Sequence, residues 1–254
     1  MLYLVLFLVV IAASFILAYR SMADYLEKPT YFSNDCALYL IRRPQMLTNE
    51  LLDRLYQAVD RSKYILAFER LFKGDKSALV VYGPKLILNT FSTDLDLLEL
   101  EDYCQNLDIN LVSVWEMTAE PLTGQDHLFT SLPSLGLNDE LWWQLVLQPK
   151  ASVWRGKTDF ALAKKRQQSQ VDATSQTPVF EGKIRVILKV ADDRTRSKLS
   201  TQISALGDKL GLTRLPKIYT TAQLVKFYQD RSLPLPSGRK FQVALFSVKA
   251  LLGV

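Results

Sequence analysis

Histidine is almost absent from this chain: His127 is the only one in 254 residues. That scarcity excludes a multi-histidine metal site and leaves any histidine-dependent catalytic triad resting on one residue of the polar stretch Thr123–Thr130. Glycine is also sparse, at ten residues, and neither G-x-G-x-x-G nor G-x-x-x-x-G-K-[ST] occurs. The phosphate cradles of dinucleotide-binding folds and P-loop ATPases therefore have no sequence basis. No serine sits in a G-x-S-x-G elbow. The acidic stretch Asp94, Asp96, Glu99, Glu101 and Asp102 lacks the spacing of a calcium loop. Only two cysteines are present, Cys36 and Cys104, and they form no C-x-x-C pair. Buried free thiols or one disulfide both fit that count. A non-enzymatic protein without cofactor or metal is the expectation.

Charge is missing altogether from one long run. Leu2–Tyr19 (LYLVLFLVVIAASFILAY) contains no charged residue, glycine or proline. About 17–25 apolar residues suffice for a transmembrane helix, so the run predicts a single span from Leu2 through Phe7 and Phe15 to Tyr19. No basic residue precedes it, whereas Arg20 and Lys28 lie after it. The positive-inside rule then predicts a single-pass protein of the cell membrane with a cytoplasmic body.

The body beyond that run alternates between strand and helix signals. Cys36–Arg42 is apolar on both faces, as in a covered strand. Leu51, Leu55, Ala58 and Val59 fall at helical spacing after Thr48, a capping residue. Tyr64–Phe72 and Ser77–Tyr82 read as strands joined by Lys73-Gly74-Asp75, a helix is expected from Asp94, and Ile109–Met117 closes the set. The order βαββαβ predicts a ferredoxin-like module. Further on, Glu140–Gln148 and Lys183–Ala191 read as strands, and Leu199, Ile203, Leu206 and Leu210 form a helical stripe ended by Gly211. The expected organisation is α+β: an anchor (1–20), a tether (21–35), the ferredoxin-like module (36–120), a linker (121–135), and a second module (136–254) with a polar insertion near 164–180.

Charge divides unevenly along this body. Residues 20–130 carry eleven Lys and Arg against seventeen Asp and Glu, net −6, while residues 131–254 carry twenty against nine, net +11. The candidate interaction residues are accordingly Arg155 and Lys157, Lys164, Lys165 and Arg166, and Arg194, Arg196 and Lys198, with Trp142 and Trp154 as nearby aromatics. Their partners would be an acidic protein surface, a second copy of the chain, or nucleic acid beside the bilayer. No residue pattern indicates a small-molecule substrate.

Two stretches carry a resemblance. Leu38-Tyr39-Leu40-Ile41-Arg42-Arg43-Pro44 with the Leu51–Val59 helix, and Leu141-Trp142-Trp143-Gln144-Leu145-Val146-Leu147-Gln148-Pro149 with Trp154 and Lys157, resemble the membrane-anchored, non-ATPase α+β region of bacterial proteins associated with type IV secretion or conjugative coupling ATPases. The resemblance implies an assembly or recruitment module of a larger machine and supplies no catalytic residue.

Overall fold

The computed structural model describes residues 7, 9–15, 27–28, 35–62, 64–105, 107–117, 129, 132–149, 179–210, 212–213, 220–234 and 240–254. In chain order the elements are β1 (Glu27–Lys28), β2 (Cys36–Ile41), α1 (Asn49–Ser62), β3 (Leu66–Lys73), β4 (Lys76–Pro84), α2 (Lys85–Thr90), α3 (Ser92–Leu95) and β5 (Leu97–Leu100). Next come β6 (Val112–Met117), β7 (Glu140–Pro149), β8 (Val179–Lys189), α4 (Asp193–Leu210), β9 (Leu212–Thr213), α5 (Thr221–Gln229), β10 (Leu233–Pro234), β11 (Phe241–Ala244) and α6 (Ser247–Leu252).

Eight strands form one antiparallel row, β5-β2-β4-β3-β7-β8-β6-β9, with β11 paired to β8 beside it. Its centre is the β3–β7 seam, where eight residue pairs run from Leu66↔Leu147 to Lys73↔Glu140. Outward from that seam each side repeats one order: the second, third, first and fourth strand of its own stretch of chain. The registers agree as well. Cys36, first in β2, faces Pro84, last in β4; Val112, first in β6, faces Lys189, last in β8. The arrangement is that of an approximate two-fold rotation about the seam.

Both faces of the sheet are covered, which is why its strands are apolar at consecutive positions. On one face Leu66, Phe68, Leu141, Trp143, Leu145, Ile184, Val186 and Trp115 pack under Leu52, Leu55 and Val59 of α1, Leu199 and Ile203 of α4, and Val248 and Leu252 of α6. The other face packs Trp142, Ile187, Val112 and Val114 against Cys104, Leu107 and the α5 residues Leu224, Val225 and Tyr228. Locally, the Thr48 hydroxyl accepts from the Leu51 N–H at 3.2 Å and caps α1. Gly74, at φ 57°, forms the two-residue β3–β4 turn with Lys73 facing Lys76. A positive φ at the first turn position alone is the type II′ geometry that favours glycine there.

Three expectations are corrected. The fold is not a simple ferredoxin-like module followed by a separate α+β module, because one antiparallel sheet runs through both stretches and β6, expected to close the first module, pairs instead with β8 and β9. The helix expected from Asp94 stops at Leu95: Asp96 takes φ 51°, a left-handed conformation that ends it. Leu97–Leu100 then add to β2 as a strand. Finally, among the described residues no helix is long and apolar enough to cross a membrane. Of the run Leu2–Tyr19, residues 7 and 9–15 are described, all as helix. Leu2 and Tyr19 lie outside the described residues. The single-pass span and the cell-membrane placement that rested on it are therefore not supported, since the described residues hold no helix that could cross.

Candidate functional site

The most distinctive chemistry is a row of polar side chains across the middle of the sheet. Glu69 on β3 faces Gln144 on β7, Gln144 faces Arg185 on β8, and Arg185 faces Glu116 on β6. All four are 0 % exposed. Because side chains alternate between faces, all four emerge on the α5 side.

Their partners close the row. Gln144 Nε2 donates to Glu69 Oε1 at 3.1 Å and to the Tyr228 carbonyl at 2.9 Å. Arg185 donates through Nε to Glu116 Oε2 at 3.0 Å and through Nη1 to the Ser232 carbonyl at 2.7 Å. Lys183 Nζ lies 2.8 Å from Glu116 Oε1. Arg231 donates to Glu69 Oε1 at 2.8 Å and grips Asp102 with both terminal nitrogens, at 2.8 and 3.1 Å. Its guanidinium also lies 4.3 Å from the centre of the Tyr82 ring. Arg231 holds a left-handed backbone, φ 47°, at the turn out of α5.

Burial sets the electrostatics of the row. It pushes the Glu69 carboxyl above the ordinary carboxylate range, against the pull of Arg231 and Gln144. Burial opposes the charge on Arg231 too, but Glu69 and Asp102 outweigh it and hold its pKa well above the usual value. Asp102 is half-buried; burial raises its pKa, yet the hydrogen bonds and charge of Arg231 win and the net direction is down. Burial lifts the Tyr228 hydroxyl and the Cys104 thiol well above their ordinary values. Cys36 and Cys104 are both free and buried, which settles the choice left open by the sequence.

The row is closed to solvent, so what it does chemically is to bind α5 and the turn after it to the sheet. It also accounts for part of the charge asymmetry. Glu69, Asp102 and Glu116 belong to the acidic stretch of the chain, and Lys183, Arg185 and Arg231 to the basic stretch; inside the fold they pair with one another. The acidic segment at β5 is met instead at the surface, by basic residues of its own stretch. Asp94 pairs with Arg54 at 3.1 Å, Asp96 with Arg43 at 3.7 Å and Glu99 with Lys85 at 3.0 Å.

The sequence-predicted residues are scattered. Arg155, Lys157, Lys164, Lys165, Arg166 and Trp154 lie outside the described residues. Arg194 and Lys198 are exposed at the start of α4, whereas half-buried Arg196 pairs with Asp193 and donates to the Val190 carbonyl at 3.3 Å. Beside them Ser113, Ser197, Ser200, Thr201 and Ser204 line a hydroxyl-rich cleft of about 360 Å³. Trp142, expected as an exposed aromatic, is buried at 5 % exposure, and its Nε1 donates to Glu140 Oε2 at 3.2 Å. Phe7 and Phe15 are exposed at 63 % and 76 %. Of the described ones, Trp142 lies on the face of the sheet that carries the buried row, with its ring centre 6.1 Å from that of Tyr228. Sequence reasoning missed the row, although one signal pointed to it: polar residues set inside the otherwise apolar runs LAFERLF, LWWQLVL, VSVWEM and KIRVILK.

No protein-family model matches the chain, and no curated protein is significantly similar to it.

Proposed function

We propose that this protein is an assembly module that associates with a second copy of itself through its apolar N-terminal helical residues. The observation carrying this reading is their exposure: Phe7 63 %, Val9 61 %, Val10 55 %, Ile11 45 % and Phe15 76 %. A contiguous apolar surface of this kind marks an interaction site, because covering it removes hydrocarbon from water at about 25 cal/mol per Å². The buried charged groups Glu69, Glu116, Lys183, Arg185 and Arg231, by contrast, are paired within the body. The resemblance to a non-catalytic region associated with type IV secretion points the same way, toward assembly rather than turnover.

Light scattering on the purified full-length chain tests the proposal. The chain mass is 29.0 kDa; the wild-type particle is expected at a multiple of it, and the double variant Val10→Asp/Phe15→Asp at the monomer mass with an unchanged thermal midpoint. A wild-type protein that stays monomeric at micromolar concentration, or a double variant that assembles equally well, would overturn it.

A further inference from the structure

A second cleft, of about 310 Å³, opens on the α5 side of the sheet where β3 and β4 meet their turn and β7 begins. Its walls are apolar and aromatic: Leu71, Phe72, Ala78, Tyr103 and Trp142. Tyr103 and Trp142 meet edge to face, with ring centres 4.9 Å apart and planes at 80°. Its mouth is cationic. Lys73 and Lys76 line it and face each other across the β3–β4 turn, and Lys189 Nζ lies 5.7 Å from the Trp142 ring.

Glu140 is the carboxylate of the lining, and its oxygens are already engaged by Lys73 Nζ at 3.1 Å, Lys189 Nζ at 3.5 Å and Trp142 Nε1 at 3.2 Å. Lys76 is exposed and has no ion pair among the described residues, which leaves a positive charge at the opening. The Tyr103 hydroxyl is buried without a hydrogen-bond partner.

We propose that this cleft binds a small planar aromatic molecule bearing one anionic group. A flat ring continues the edge-to-face arrangement of Tyr103 and Trp142 and fills a space of this size. An anion answers the ammonium of Lys76. The inference is independent of the assembly reading, since it uses different residues on a different part of the molecule.

Titration calorimetry of the full-length protein with 2-naphthoate tests it, with neutral 2-naphthamide and ring-free acetate as comparisons. Saturable binding of 2-naphthoate is expected, with 2-naphthamide about tenfold weaker, the worth of one charge-assisted contact. Acetate should show no saturable binding. Ala78→Trp, which fills the cleft from a half-buried position, should abolish binding. The exposed Lys76→Glu should weaken 2-naphthoate about tenfold and leave 2-naphthamide unchanged. Equal affinity for naphthoate and naphthamide, no saturable binding at millimolar concentration, or naphthoate binding unaffected by Lys76→Glu would each overturn the proposal. Lys76→Glu lies on the surface and keeps the test decisive even where Ala78→Trp fails to fold.

Discussion

At the scale of single residues the governing quantity is the cost of burying charge. Removing an ion from water costs several kcal/mol even after the protein relaxes, and that cost is recovered only through close pairing and satisfied hydrogen bonds. Arg231 meets this condition with Glu69, Asp102 and the Tyr82 face. Glu69 meets it incompletely, because its Oε2 has no hydrogen-bond partner. That imbalance has a direction that can be measured. The raised pKa of Glu69 means that folding favours its protonated form, so its contribution is fully present below the unfolded-state pKa and is lost as pH rises through the folded-state value. A glutamine at the same position does not titrate. The stability difference between wild type and Glu69→Gln, measured by urea unfolding from pH 4 to pH 8, is therefore expected to move in favour of the variant as pH rises. A difference that stays constant, or that moves in favour of the wild type, would mean that Arg231 rather than burial sets the Glu69 titration. In the sequence these residues were visible only as polar letters within largely apolar strands. Nothing in a single strand says which letter on another strand it will face, since register belongs to the sheet.

The next scale is that of the elements, where short-range chemistry is readable and strand placement is not. The stripe Leu51, Leu55 and Val59 with its Thr48 cap forms α1 as expected, because helix periodicity and capping act within one turn. The stretch Leu97–Leu100 misled because leucines spaced three apart fit a helical stripe, and the left-handed Asp96 that diverts the chain leaves no mark of its own in the sequence. Helix α5 shows how a local device supports the buried row. The Thr220 hydroxyl accepts from the Gln223 N–H at 3.2 Å, while Gln223 Oε1 accepts from the Thr220 N–H at 2.9 Å. This reciprocal cap starts the helix that supplies the Tyr228 carbonyl to Gln144 and, just past its end, the Ser232 carbonyl to Arg185. Thr220→Ala is expected to lower stability by about 1 kcal/mol. Amide exchange in α5 should quicken more than in α1, as measured by hydrogen exchange with mass spectrometry. Equal protection of α5 in both proteins would show that packing of Leu224, Val225 and Tyr228 holds the helix without its cap.

For the whole molecule, connectivity and charge make the same link. The acidic and basic stretches of the chain looked like two surfaces awaiting partners, but charge summed along a sequence cannot distinguish an outer surface from an inner contact. Here Glu69, Asp102 and Glu116 come from one stretch and Lys183, Arg185 and Arg231 from the other. They meet beneath α5, at a sheet whose β3–β7 seam joins its two similarly ordered sides by eight residue pairs. Separating the sides would break that seam and strand buried ions, so neither side is expected to unfold while the other stays intact. Calorimetry should show a single transition whose calorimetric and van't Hoff enthalpies agree. Leu55→Ala in α1 and Ile203→Ala in α4 belong to the two different stretches of chain and are buried at 2 % exposure each. Each should cost about 2–5 kcal/mol and move the whole transition to lower temperature. Tryptophan fluorescence and far-ultraviolet circular dichroism should give the same midpoint in wild type and in both variants. Two resolved transitions, or a Leu55→Ala variant in which part of the signal melts early while the rest keeps the wild-type midpoint, would show that the seam and the buried pairs do not bind the two sides into one folding unit.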